Sequence, residues 1–259
     1  MLHRLLLPVV LASAAWLGAL PLALRAQTQP PQPSAAGAAS PLLQSLEAAL
    51  NAPGDGALEA LLQAAPGFDP LEVTARRQAL RSRFPDAHWS VSPGPALADG
   101  RATVQIRISG SRKQAPFNFV LEADQQLALA WSGGRIRGQE ILREQSLVRT
   151  SGGAVEVTLQ MPDAVLTGQR YDVDLIVDQP LQGAITAGGL MALTPQQARA
   201  EEMPILPMGP LYGGGLFKTV QAPASPGSQT WAMVLVHPQG IVSLSKRVRV
   251  VSDRAQLVP

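Results

Sequence analysis

The stretch "GGRIRGQEILREQSLVRTSGG", Gly133–Gly153, stands between two differently patterned halves of the chain. Gly133 and Gly134 mark a turn before it. Its apolar residues alternate less cleanly than those of its neighbours. It therefore reads either as one long bent strand or as a strand followed by a short turn. Its end, "TSGG" at Thr150–Gly153, is small and polar and reads as a boundary between two units.

On the N-terminal side the period is two. In "RATVQIRIS", Val104, Ile106 and Ile108 alternate with Thr103, Gln105 and Arg107, the pattern of a half-buried strand. "APFNFVLEA" aligns Phe117, Phe119 and Leu121, and "QLALAW" aligns Leu127, Leu129 and Trp131. Before Pro85 the period is helical. Ser40 and Pro41 offer a cap and a first position for a helix with Leu42, Leu43, Leu46 and Leu50 on one stripe. "GALEALLQAAPG" predicts a second helix with Leu58, Leu61 and Leu62 inward. In "DPLEVTARRQALRSRF", Asp69 caps a third helix with Pro70 first and Val73, Leu80 and Phe84 on its stripe.

Beyond Gly153 the chain reads as β throughout. "AVEVTLQMP", "RYDVDLIVD", "QTWAMVLVH" and "GIVSLSKRVRVV" alternate in turn, the last two joined by a tight "PQG" turn. "TPQQARAEEMP" interrupts them as a short polar helix. The predicted fold is an α+β domain over 41–150, with helices packed on a curved antiparallel sheet, followed by an all-β sandwich over 151–259.

The order of helices and then sheet resembles the cone-shaped fold of nuclear-transport-factor-2-like domains. "WSGGRIRGQEILREQSLVRTSG" is similar to the last strands of such domains in exported bacterial proteins. The second half, from "VTLQMPDAVLTGQRYDVDLIVDQPL" to "GIVSLSKRVRVV", is similar to uncharacterised exported proteins of cyanobacterial type, with an immunoglobulin-like sandwich. The resemblance implies a pocket between helices and sheet, used by some members for catalysis and by others for binding or pairing. Catalytic members place an Asp or His in that pocket, and no inward strand position here carries one.

The first 26 residues stand apart. "MLHR" is a short basic start, "LLLPVVLASAAWLGALPLAL" is apolar, and "RAQTQPPQPS" turns polar, as in a secretory signal peptide ending at Ala26. The apolar run also has the length of a bilayer span, so an uncleaved anchor is the rival. Pro8, Gly18 and Pro21 weaken a continuous helix and favour cleavage. Residues 27–40, rich in Pro, Ala, Ser and Gln, read as a tether. The expected location is periplasm, lumen or extracellular space.

Composition narrows the function. The 259 residues are 46% hydrophobic and 15% charged, enough for a packed core. There are 21 basic and 19 acidic residues. Without Arg4 and Arg25 of the first 26 residues, 19 face 19, with no basic excess for nucleic acid. There is no cysteine, hence neither disulfide nor thiol chemistry.

Four side-chain groups are candidates for chemistry. "GPLYGGGLFKTVQAP", Gly209–Pro223, places Lys218 and Thr219 after three glycines. A phosphate loop requires glycine before its lysine, where this chain has Phe217, and "VQAPASPG" breaks any following helix. Gly213–Gly215 are read as backbone glycines, with Gly214 the one whose replacement should damage folding. Asp172, Asp174 and Asp178 share one strand face, with Asp163 upstream, and are the calcium candidates. A straight strand spreads such ligands by about 6–7 Å per pair, which favours a solvated face. Asp86 and His88 in "PDAHW" would form a general-base pair if both faced the pocket; otherwise they are a surface turn. Arg76, Arg77, Arg81 and Arg83 crowd the third helix and read as solvated surface. The expectation is a non-enzymatic exported binding or assembly protein whose partner is a protein or a small hydrophobic ligand, with no cofactor. The alternatives are an isomerase or hydrolase working in the pocket, and a membrane-tethered form of the same protein.

Overall fold

The computed structural model describes residues 39–152, 155–178, 186–199, 205–211 and 214–257. The signal segment and all but the last two tether residues lie outside them. Three helices come first: α1 (Ala39–Asn51), α2 (Gly56–Leu61) and α3 (Pro70–Arg83). α1 begins two residues ahead of the predicted Pro41. Asp69 caps α3 as expected, its carboxylate accepting from Leu71 N at 2.9 Å.

Four antiparallel strands follow: β1 (His88–Pro93), β2 (Thr103–Gln114), β3 (Phe117–Ser132) and β4 (Arg135–Thr150). The two expected strands within 117–132 are one. β4 is the long bent strand, and its untidy pattern has a cause. Leu127 pairs with Ile141 while Gln126 pairs with Arg143, so Leu142 is an extra residue; Arg137 is a second, between Gly138 and Ile136. Each bulge shifts the alternation by one. The inward set of β4 is therefore Ile136, Gln139, Ile141, Glu144, Ser146 and Val148. Leu142 packs on the opposite face with Leu97 and Ala128.

The second half supplies β5 (Val157–Gln160), β6 (Ala164–Leu166), β7 (Arg170–Val177), β8 (Thr186–Leu193), the short α4 (Pro195–Arg199), β9 (Gly209–Leu211), β10 (Gly215–Gln221), β11 (Gly227–His237) and β12 (Gly240–Val251). The "PQG" turn joins β11 to β12, with His237 opposite Gly240. β12 then pairs antiparallel with β4, Val242 opposite Arg149 through Arg247 opposite Glu144.

That pairing overturns the predicted division into an α+β domain and a separate all-β sandwich. A nine-stranded sheet, β1-β2-β3-β4-β12-β11-β8-β9 with β6 added along β12, runs through both halves, and strand outweighs helix. "TSGG" is a turn at the end of β4, where Ser151 N donates to Asn118 O at 2.7 Å. The same sheet continues on either side of it.

The sheet is covered on opposite faces at its two ends. Helices α1–α3 cover the inward face of β1–β4, with Leu58, Phe84 and Leu121 fully buried. A second sheet, β10-β7-β5, covers the other face of β11 and β12 through Val173, Leu175, Met233 and Val248. On the helix side, β11 is covered by Ala198 of α4 and by Leu206.

The glycine stretch also needs correction. A Cβ on Gly214 would meet nothing within 4 Å, whereas one on Gly215 would lie 2.1 Å from Leu175 O on the neighbouring strand. Close backbone approach at Gly215 is the constraint, and Gly213 lies outside the described residues. Gly215→Ala is expected to lower stability by about 1–3 kcal/mol, and Gly214→Ala by less than about 0.5 kcal/mol. Paired thermal or urea melts of the two variants measure the difference.

Candidate ligand cavity

The third helix owes its arginines to its neighbour. The C-terminal turn of α1 leaves carbonyls without helical donors. Arg77 Nε donates to Leu50 O at 2.8 Å and its Nη2 to Ala52 O. Arg81 donates to Ala52 O at 2.7 Å and to Asn51 O at 3.2 Å. Both guanidiniums lie over the Trp89 ring, at 5.9 and 5.7 Å from its centroid. Arg77 is 4% exposed and also pairs with Asp55 at 2.5 Å. The solvated-surface reading therefore fails for Arg77, which is a buried clamp. Its positive charge at a helix C-terminus also suits the helix dipole. The Asp55 carboxyl is held below its usual range by the Gln78 amide and then by Arg77, against the cost of burial.

The clamp fixes the helices over the inward sheet face, and between them lies a chamber of about 100 Å³. Leu46, Leu58, Leu80, Ile106, Leu127 and Ile136 are among its apolar walls. Its polar wall is Arg76, Arg77, Gln125, Gln139 and Glu144. Glu144 points inward because the bulge at Leu142 reverses the alternation of β4 just before it. Its carboxylate accepts from Gln125 Nε2 at 2.6 Å and meets Arg247 Nε at 3.7 Å. Both partners of that ion pair are buried. Burial lowers the pKa of the Arg247 guanidinium; Glu144 opposes this and Arg76 reinforces it. An arginine remains charged through such shifts.

Beside the chamber is a vestibule of about 320 Å³ bordered by Asp69, Glu72 and Arg247. The two spaces share Phe68, Val73, Gln139 and Ile141 as walls. Arg247 comes from β12, so the second half of the chain completes the mouth of a cavity built by the first.

The sequence-predicted residues lie elsewhere. Asp86 and His88 do not line the chamber. Asp86 accepts from Ser111 N at 2.6 Å and Ser111 Oγ at 2.5 Å, while His88 is exposed at the start of β1 opposite Ser109. Asp172 accepts from Thr219 Oγ1 at 2.6 Å. Asp174 stands opposite Phe217, and exposed Asp178 follows the end of β7. Asp163 pairs with Lys246 at 2.6 Å. Among the described residues, no three His, Asp or Glu side chains are grouped to hold a metal ion. Lys218 rests over the Trp231 ring at 5.7 Å, on a strand. Among the described residues, no helix is long and apolar enough to cross a membrane.

Residues 153–251 match the family model of a domain of unknown function, DUF8623. The match takes in β5 to β12, including Arg247, and stops short of β4 and Glu144. No curated protein matches the chain.

Arg77→Met is expected to cost about 2–4 kcal/mol, because it strips buried carbonyls of charged donors. Arg76→Ala, whose pair with Glu72 is a 3.7 Å contact at the surface, should cost less than about 1 kcal/mol. Chemical denaturation separates the two. The Ser111 bonds hold the Asp86 carboxyl below its usual range. Their contribution to stability is present above the unfolded pKa and lost as pH falls through the folded one. Ser111→Ala should raise the Asp86 pKa in a carbon-detected NMR titration and shrink that acid-side loss.

Proposed function

We propose that the chain is an exported, non-enzymatic binding protein whose ligand is a small molecule with an apolar body, held in the chamber beneath α1–α3. The observation that carries this reading is the chamber itself: an aliphatic interior with a polar end, closed by a dedicated helix clamp. Each charged group on its wall already has a partner in the protein: Arg76 has Glu72, Arg77 has Asp55, and Glu144 has Arg247. Small-molecule sites combine apolar walls with a few placed polar groups in this way. Export rests on the first 26 residues alone, and a reporter fused after residue 60 that stays in the cytoplasm would remove it. N-terminal sequencing of the processed protein separates free from membrane-tethered forms.

A second reading, an isomerase or hydrolase, is favoured by one observation, the Glu144 carboxylate on the chamber wall. Asp86 and His88 give it no support. It requires a ligand that leaves the chamber chemically changed, which mass spectrometry of ligand incubated with protein detects.

For the binding reading, the purified protein is expected to bind an apolar fluorophore such as 1-N-phenylnaphthylamine or the smaller probe indole. Val73→Phe, at a half-buried position on the wall shared by chamber and vestibule, should weaken that binding about tenfold or more with an unchanged far-ultraviolet spectrum. Equal binding by both proteins would place the probe outside the chamber and overturn the reading.

A further inference from the structure

The head that the ligand carries can be argued from the vestibule, given the chamber as its binding site. A dry apolar cavity of about 150 Å³ holds one benzene. At about 100 Å³, the chamber suits a branched chain of roughly four carbons on the same scale. The vestibule next to it carries both signs of charge. On one side are Asp69 and Glu72, from the start of α3; on the other is Arg247, from β12.

Their charges are disposed for a ligand with two. Asp69 caps α3 through Oδ1, and a carboxylate has a second oxygen that accepts as well. Glu72 is partly exposed and meets Arg76 at 3.7 Å. Arg247 meets Glu144 at 3.7 Å through Nε, and its guanidinium is a planar fork of five N–H donors. A singly charged anion here would gain Arg247 but face Asp69 and Glu72. A singly charged cation would face the reverse conflict. Selectivity by unfavourable contacts of this kind excludes both.

We propose that chamber and vestibule together bind a small zwitterion with a branched aliphatic tail, of the chemical class of leucine. The tail fills the chamber, the carboxylate faces Arg247, and the ammonium faces Asp69 and Glu72. Arg247 and Glu72 are then the residues that set head-group specificity, one from each half of the chain.

Calorimetric titration of the purified protein with three probes tests this: L-leucine, 4-methylpentanoate, which lacks the ammonium, and 3-methylbutylamine, which lacks the carboxylate. Leucine is expected to bind at least about tenfold more tightly than either analogue. Glu72→Gln should weaken leucine severalfold and leave 4-methylpentanoate unchanged or improved. Arg247→Met should weaken leucine towards the amine and leave the amine unaffected. If Arg247→Met does not fold, the Glu72→Gln comparison decides alone. Equal affinities for all three probes, or a singly charged probe binding best, overturns the zwitterion. Binding of the apolar fluorophore without competition by leucine also overturns it, while leaving the chamber reading intact. If neither fluorophore nor leucine binds, both fall.

Discussion

The backbone ladder between Glu144–Arg149 of β4 and Val242–Arg247 of β12 is the constraint from which the rest follows. It turns two alternating halves into one sheet. It also carries the inward face of β4 directly onto β12. Glu144 meets Arg247 across it, and Ser146 meets Ser245 with their hydroxyl oxygens at 2.7 Å. Polar residues on this shared face are tolerated because each of these pairs supplies its own partners within the seam. The seam is also where the covering layers change sides, from helices on one face to the three-stranded sheet on the other. A charged pair buried in that position is weak evidence for stability and better evidence for fixed register.

The cavity depends on the same seam and on one local irregularity. Without the extra residue at Leu142, Glu144 would fall on the outer face of β4, and the chamber would have no carboxylate. The bulge therefore sets both the bend of the sheet over the helices and the chemistry of the chamber's polar end. The arginine clamp acts at the other side of the same space. It ties the end of α1 to α3 through carbonyls that no helical donor reaches, which holds the roof at a fixed height above Trp89.

Local features were readable from the sequence where the signal is local. Asp69 followed by Pro70 marks the start of α3, and "PQG" marks the β11–β12 turn, because caps and tight turns are chosen by adjacent residues. The alternation in β2 and β7 gave the right buried residues, such as Ile106 and Val173. What escaped was set by distant partners. The β4–β12 pairing leaves no signature in either strand alone, so a terminal turn passed for a boundary. Arg77 looks like a solvated side chain until the end of α1 is placed beside it. The irregular spacing in "GGRIRGQEILREQSLVRT" was the one visible trace of the bulges, and it needed β3 as a ruler before it could be read. Asp86 and His88 attracted attention by residue type, yet Trp89 between α1 and the sheet turns inward and leaves His88 outside.

The seam also orders events in time. Ser146 and Ser245 stand 99 residues apart in sequence, so β4 must wait for nearly the whole chain before its C-terminal half acquires a neighbour on that side. Until then it presents an open strand edge, with Leu147 and Val148 along it, to any other chain nearby. Long-range strand pairing of this kind is slow to form and exposes sticky edges meanwhile. The Arg143, Glu144 and Arg149 side chains spaced along that edge act as gatekeepers during the wait, since a charged edge resists pairing with a copy of itself. Some of the charge in this strand thus serves the newly made chain before it serves the finished fold.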